Sequence, residues 1–124
     1  MIEIVHTEKA PAAIGPYSQA IKCGTLLFTS GQIPIVPETG EIDGSTIEIQ
    51  AERVMKNLTQ VLEAAGSGPE RAVKTTCFLA DMNDFAAFNA VYAKYFTGKP
   101  ARSCVAVRTL PKGVLCEVEV IAEV

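Results

Sequence analysis

The chain has 124 residues, of which 48% are hydrophobic and 20% are charged, and its net charge at pH 7 is −3. This balance fits a single globular domain, residues 1–124, and excludes an intrinsically disordered chain. The basic residues are scattered, so no patch indicates nucleic-acid binding. The sequence shows no apolar run long enough for a membrane span and no signal-peptide pattern, so we expect a cytoplasmic protein.

Four cysteines, Cys23, Cys77, Cys104 and Cys116, lie far apart without a CxxC pair. Because His6 is the only histidine and the spacing of metal ligands is absent, we predict no metal site. A catalytic Cys–His pair or a Ser-His-Asp triad would have to recruit His6 from the terminus. The cysteines are therefore expected to be small buried hydrophobes in a reducing compartment.

The first third of the chain predicts three short strands, at residues 2–5, 17–22 and 26–30. Cys23-Gly24-Thr25 is typical of a turn, so the second and third strands are expected to form a hairpin. Residues 11–16 and 34–44 contain prolines and glycines and are expected to be loops.

The next segment predicts a helix that ends at Gly66. Ser45 and Glu48 have the spacing of a capping box, which places the helix start there. Apolar residues recur every three or four positions at Ile47, Ala51, Val54, Leu58, Val61, Leu62 and Ala65. The opposite, polar face is expected to carry Gln50, Arg53, Asn57, Gln60 and Glu63.

The last half predicts a strand at 72–80, a helix at about 84–96 and two strands beginning near residues 104 and 115. Residues 81–84 offer candidates for the N-cap of the second helix. Its aromatic positions have helical spacing and are expected to be core. The order of elements indicates an α+β fold with two helices on one face of a sheet. Because the strands are apolar on both faces, we expect a homo-oligomer to cover the second face.

Arg102 follows Pro100 at the start of an apolar run, which places its guanidinium at the rim of the predicted sheet. A guanidinium binds a carboxylate through two parallel hydrogen bonds, so Arg102 is a candidate anion anchor. A surface ion pair at a strand end is the alternative.

Glu117 and Glu119 lie on one face of the last strand, about 7 Å apart. The other face of that strand is more uniformly apolar and suits the core, so both glutamates are expected on the second sheet face, near Arg102. Arg102, Arg108, Lys22, Lys74 or solvent could partner these acids, and a structural salt-bridge network explains them equally well.

Two smaller features sit near predicted strand ends. Gly31 permits close approach of the backbone to a ligand, and a bend or bulge is the alternative. Tyr17 could lie over a pocket, or it could be a half-buried packing residue.

The chain carries, in order and over nearly its whole length, the segments APAAIGPYSQ (10–19), TSGQIP (29–34), NL (57–58), VKTTCFL (73–79), NDF (83–85) and PARSC (100–104). Together they resemble the RidA family, also called YjgF/YER057c/UK114. The segment between Phe96 and Pro100 is shorter than in many relatives.

The resemblance implies a chorismate-mutase-like α+β subunit with a mixed sheet and two helices on one face, assembled as a homotrimer with sites between subunits. It implies cofactor-free hydrolysis of reactive 2-enamine or 2-imino acids, such as 2-iminobutanoate and 2-iminopropanoate, to 2-oxo acids and ammonia. Pyridoxal-phosphate-dependent dehydratases would supply these intermediates.

The same resemblance assigns the site. Arg102 would bind the substrate carboxylate, and Glu117, held as a carboxylate by a nearby cation, would orient the water. The cleft would be lined by Tyr17, Ser30, Gly31, Asn89 and Cys104. Cys104 would contribute backbone and shape rather than a thiolate.

Two other functions remain open from the sequence. A chaperone-like or binding protein for small carboxylates would need Arg102 but would tolerate Glu117→Gln. A ribonuclease or translation inhibitor, a label attached to some relatives, is opposed by the negative net charge and the single terminal histidine.

Overall fold

The computed structural model describes all residues, 1–124, and contains the predicted order of strands and helices. The strands are β1 Ile2–Val5, β2 Ala20–Cys23, β3 Leu26–Thr29, β4 Ala72–Leu79, β5 Ala101–Ala106 and β6 Cys116–Glu123. The helices are α1 Ile47–Ala64 and α2 Phe85–Tyr95. Neither helix is long and apolar enough to cross a membrane.

All six strands form one mixed sheet in the order β1-β2-β3-β6-β4-β5. Every neighbouring pair is antiparallel except β4 and β5, which are parallel. A parallel pair needs a crossover connection, and α2 supplies it. The helix therefore packs beside the edge strand β5, which carries Arg102.

Both helices cover the same face of the sheet, as predicted. On β6 the side chains of Cys116, Val118, Val120 and Ala122 are buried against them, while the alternate residues point to the other face. The strand period thus places Glu117 and its alternate neighbours away from the helices. The predicted orientation of the glutamates is confirmed.

The second face of the sheet is not covered by any element of the chain. Large apolar side chains on it stay exposed, with Ile4 at 73%, Phe28 at 42% and Val105 at 47% of their full surface. Such a broad apolar face is typical of a surface buried between protein chains. The homo-oligomer that the sequence indicates stays a prediction.

Helix α1 begins one residue later than the capping box predicts. Thr46 is the N-cap, and its hydroxyl accepts a hydrogen bond from the Ile49 N–H at 3.3 Å. The shift removes Glu48 from the third helical position, where a capping box requires it. The predicted stop is confirmed, because Gly66 follows the helix with a left-handed φ of 82°.

Two of the residues expected on the polar face of α1 are buried, so that expectation was wrong. The Asn57 amide donates to the carbonyls of Ile33 and Ile35, at 3.2 and 2.9 Å. The Gln50 amide donates to the Gly44 carbonyl at 3.1 Å. The loop that precedes α1 folds along this side of the helix, and its free carbonyls need polar partners there.

Two strand boundaries also differ from prediction. Strand β2 begins at Ala20 because the buried Gln19 side chain is bonded to the loop instead, accepting from the Thr7 N–H at 2.7 Å and donating to the Pro11 carbonyl at 2.8 Å. Strand β5 begins at Ala101, so Arg102 lies inside an edge strand rather than before it. Because β2 begins only at Ala20, Tyr17 lies on the preceding loop, which the hydrogen bonds of Gln19 hold in place.

Candidate active site

Arg102 points to the helix face of the sheet. It is the register partner of Thr75 on β4, and Thr75 is fully buried beneath the helices. The expectation that Arg102 lies on the second face near Glu117 was therefore wrong for a single chain. The physical reason is the register of β5, in which Arg102 pairs with the helix-facing Thr75, together with the position of β4 between β5 and β6.

The Arg102 guanidinium is held by side chains of α2. One Nη donates to Asn89 Oδ1 at 2.6 Å. The guanidinium carbon lies 4.7 Å from the centre of the Tyr92 ring and 5.5 Å from that of Phe85, within the range of cation–π interactions. No carboxylate lies within ion-pair distance of Arg102, so the chain itself does not form the surface ion pair considered as an alternative.

A cavity of about 610 Å³ opens beside this guanidinium, and we call it the anchor cavity. No acidic residue lines it, and Lys99 adds a second basic side chain. Since Asn89 occupies only one of the five N–H donors of Arg102, the others remain for an anion. Its lining residues are Asn89, Tyr92, Ala93, Phe96, Thr97, Lys99, Pro100 and Arg102.

Glu117 belongs to a second cavity, of about 540 Å³, which we call the acid cavity. It also contains Tyr17, Ser30 and Gly31, three of the residues that the resemblance places in the cleft. Glu119 and Lys112 contribute the remaining charges of its lining. The structure thus brings these predicted residues together around the carboxylate.

Gly31 leaves room for the Glu117 carboxyl group in its present position. A Cβ at Gly31 would lie 2.8 Å from the Glu117 carboxyl carbon and would collide with one of its oxygens. The neighbouring Ser30 hydroxyl donates to the Ser18 carbonyl at 2.6 Å, which ties the end of β3 to the loop carrying Tyr17. Within the chain, the group that lies closest to Gly31 is Glu117. The predicted approach of a ligand to Gly31 stays a prediction.

The carboxyl group of Glu117 is half-buried without a basic partner. Burial raises its pKa above the ordinary value, and the negative charge of Glu119 raises the pKa further. No ion pair involves either glutamate. Within one chain, the cation expected to hold Glu117 as a carboxylate is therefore absent. A raised pKa suits a group that accepts a proton near neutral pH.

Cys104 lies two residues after Arg102 and also faces the helices, packed against the core. Burial raises the pKa of its thiol, an effect that Arg102 partly offsets. The facing Cys77 is fully buried, and its pKa is raised to about 12 by the same cause. Both thiols are therefore poor nucleophiles, which supports a role for Cys104 through backbone and shape.

The two cavities open on opposite faces of the sheet. Glu117 lies on β6 and Arg102 on β5, and their register partners on the intervening β4 are Phe78 and Thr75. Two strand spacings across the sheet and three residues along it, each about 10 Å, separate their backbones by about 14 Å. Because their side chains also point in opposite directions, one chain cannot place both groups on one small substrate. The predicted site residues form two half-sites.

Two functional contacts were not predicted. Phe85 and Tyr92 were expected to be core only, yet their rings face the guanidinium. The signal was in the sequence, because Phe85, Asn89 and Tyr92 follow the i, i+4, i+7 spacing of one helix face. No group of three or more histidine, cysteine, aspartate or glutamate side chains is arranged to hold a metal ion.

Comparison with known proteins places the chain among close relatives. The family model described as Endoribonuclease L-PSP matches residues 7–124. A RutC family protein of Pyrococcus horikoshii is 54% identical over 123 residues, covering 98% of each chain.

Solved structures agree with the sequence comparison. YyfA of Yersinia pestis, described as a member of the conserved Rid protein family, is 48% identical and superposes over 100% of both chains with a TM-score of 0.97. TdcF of E. coli, solved with bound serine, is 44% identical over 98% of each chain, with a TM-score of 0.93. The predicted chorismate-mutase-like α+β fold is confirmed, and the family fold is consistent with small-molecule binding and oligomeric assembly. The chain belongs to the RidA (YjgF/YER057c/UK114) family.

Proposed function

We propose that the protein is a deaminase that hydrolyses 2-imino acids, such as 2-iminobutanoate and 2-iminopropanoate, to 2-oxo acids and ammonia. The observation that carries this proposal is the guanidinium of Arg102, which is fixed by Asn89 and has no acidic partner in its chain. A half-buried cation with free donors is an anchor for a planar anion such as a carboxylate.

The proposal includes a homotrimer whose sites lie between subunits. The exposed apolar sheet face supplies an interface, and the half-sites on opposite faces explain why one chain is not enough. In a ring of identical subunits, the anchor cavity of one subunit can meet the acid cavity of the next. Each cleft then contains one Arg102 and one Glu117 from different chains.

In this site Arg102 binds the carboxylate of the imino acid through two hydrogen bonds and thereby orients the adjacent C=N carbon. Glu117 accepts a proton from a water molecule while the water oxygen forms a bond to that carbon. Glu117 then returns this proton to the nitrogen of the tetrahedral adduct. As the C–N bond breaks and ammonia leaves, the hydroxyl proton passes back to Glu117 and the C=O bond of the 2-oxo acid forms. Arg102 of the neighbouring subunit would favour the ionised form of Glu117, against the effect of burial.

The relatives support a carboxylate as the ligand. The structure of E. coli TdcF contains bound serine, which carries a carboxylate beside its nitrogen-bearing carbon, as a 2-imino acid does. Pyridoxal-phosphate-dependent dehydratases that act on threonine and serine would generate the imines. The site needs no covalent nucleophile, because a protonated imine is already electrophilic.

A coupled assay tests the proposal. A threonine dehydratase generates the imine, and the appearance of 2-oxobutanoate is followed with and without the protein. We expect faster release with the wild-type protein and the spontaneous rate with Arg102→Ala. Acceleration that survives Arg102→Ala would refute the anchor, and no acceleration by the wild type would indicate a binding protein instead.

A further inference from the structure

Tyr92 connects the Arg102 guanidinium to a fixed point inside the sheet. The centre of its ring lies 4.7 Å from the guanidinium carbon. Its hydroxyl lies 2.7 Å from Oγ1 of Thr75. Thr75 is fully buried and pairs with Arg102 across β4 and β5. Tyr92 on α2 therefore contacts two side chains that are neighbours in the sheet.

We propose that Tyr92 is a positioning residue for the carboxylate anchor, with its ring supporting the guanidinium and the Thr75 hydroxyl fixing the ring. This inference rests on the proposed function, because it concerns how Arg102 is prepared for a substrate carboxylate. It assigns a role to the buried hydroxyl pair of Tyr92 and Thr75.

An arginine anchor needs such support because its side chain is long. Ordering it on binding costs conformational entropy, which weakens the affinity for the ligand. Asn89 holds one edge of the guanidinium through its 2.6 Å hydrogen bond, and the Tyr92 ring fixes the plane. With one edge and the plane fixed, another edge can present two parallel N–H groups to a carboxylate.

The ring itself is immobilised along α2. Phe88 precedes it by one helical turn and Phe96 follows by one, with ring centres 6.0 and 4.7 Å from that of Tyr92. Burial raises the pKa of Tyr92, so the phenol stays neutral and does not compete with a substrate anion for Arg102. Only the hydroxyl remains to be satisfied, and Thr75 is the partner within the chain.

The test measures the KM for the imino acid and the dissociation constant of 2-oxobutanoate as a stable product probe. Tyr92→Leu removes the ring and is expected to raise both about tenfold, with kcat changed less than about twofold. Thr75→Val removes only the hydroxyl partner and is expected to raise both about threefold, whereas Thr75→Ser keeps the hydroxyl and the wild-type values. Val91→Ala is the matched control, because Val91 is buried on α2 next to Tyr92 but lies against α1 and does not line the anchor cavity.

Val91→Ala is expected to lower the melting temperature while leaving the KM and the dissociation constant unchanged. If Tyr92→Leu and Thr75→Val behave like Val91→Ala, the positioning role is refuted and Tyr92 is only core. If Tyr92→Leu does not fold, the difference between Thr75→Val and Thr75→Ser decides, and equal values would refute the proposal.

Arg102→Ala separates this inference from the proposed function. A protein that binds 2-oxobutanoate through Arg102 without accelerating imine hydrolysis would refute the deaminase but leave the positioning role measurable by binding. A protein whose binding depends on Arg102 but not on Tyr92 or Thr75 would refute only the positioning role. Binding that is indifferent to Arg102 would overturn both.

Discussion

The two cavities of this subunit prepare their charged groups in opposite ways. In the anchor cavity, Arg102 is fixed by an amide and two aromatic rings and meets no acid. In the acid cavity, Glu117 is half-buried beside Glu119, and both burial and the neighbouring charge raise its pKa. The charge of Arg102 is thus held in place by its neighbours, whereas the surroundings of Glu117 disfavour its charged form.

The separation of the two cavities has a chemical consequence. On one sheet face, an arginine and a glutamate would form an ion pair, and the pair would occupy the donors that a substrate needs. Their placement on opposite faces keeps Arg102 free of an acidic partner in the subunit. In the proposed trimer the two groups meet only where subunits assemble, so the assembled protein would be the enzyme.

The largest effect on activity is expected from substitutions of Arg102, the proposed anchor of the substrate carboxylate. Arg102→Ala should lower kcat/KM about 10³-fold, because a charged, hydrogen-bonded contact to the carboxylate is lost. Arg102→Lys should recover little, since an ammonium group cannot form two parallel bonds. The dehydratase-coupled assay measures both. As a control, Arg53→Lys changes a guanidinium paired with Asp43, at 2.9 Å and outside both cavities, and should keep full activity.

The next largest effect on activity is expected from substitution of Glu117, the proposed general base. Glu117→Gln should lower kcat about 10²-fold with little change in KM, because the amide can hold a water but cannot accept its proton. Single-turnover kinetics would separate this step from substrate binding. An unchanged kcat would favour a binding protein over a deaminase.

A smaller effect is expected where the backbone approaches Glu117. Gly31→Ala should lower kcat about tenfold, because the added Cβ displaces the carboxylate. Gly40→Ala is the control, since Gly40 has a left-handed φ of 75° and open space around it. That variant should lose stability in thermal unfolding but not activity. Equal kcat values for the two variants would argue that Gly31 serves only as a bend.

The smallest effect is a shift in pH dependence. A base must be ionised, so kcat/KM should rise with pH through the pKa of Glu117, which burial and Glu119 raise within the subunit. Glu119→Gln removes one cause of the raised pKa of Glu117, so the rise of kcat/KM on the acid side of the pH profile should move to lower pH. Glu123→Gln, on the same face of β6 but beyond the acid cavity, should leave the profile in place. If kcat/KM of Glu119→Gln rises at the same pH as that of the wild type, the charge of Glu119 does not influence the ionisation of Glu117.

Much of the fold follows from local patterns in the sequence. The strand period of β6 placed Glu117 on the second face, and the helical spacing of α1 identified its buried stripe. The errors came from contacts between distant segments. Asn57 is buried only because a loop more than twenty residues earlier lies against it, and no local period contains that information.

The candidate site shows the same contrast between features that local sequence patterns predict and features that depend on long-range contacts. Residues of the acid cavity come from motifs that the resemblance identifies together, and they lie together. Arg102 was predicted on the wrong face, because its direction depends on its pairing with Thr75 and on the position of β4 between β5 and β6. Sheet order is set by long-range pairing, which the alternation of residues in one strand does not encode.

Complementation between two inactive variants tests the central claim most directly. Arg102→Ala and Glu117→Gln chains are unfolded together and reassembled, and the activity is compared with that of each variant alone. If each site takes Arg102 from one subunit and Glu117 from another, roughly three in four random trimers are mixed and hold one intact site out of three, so about a quarter of wild-type activity should return. If mixed assemblies form but stay as inactive as the parents, both groups act from one chain, and the account of two half-sites is contradicted.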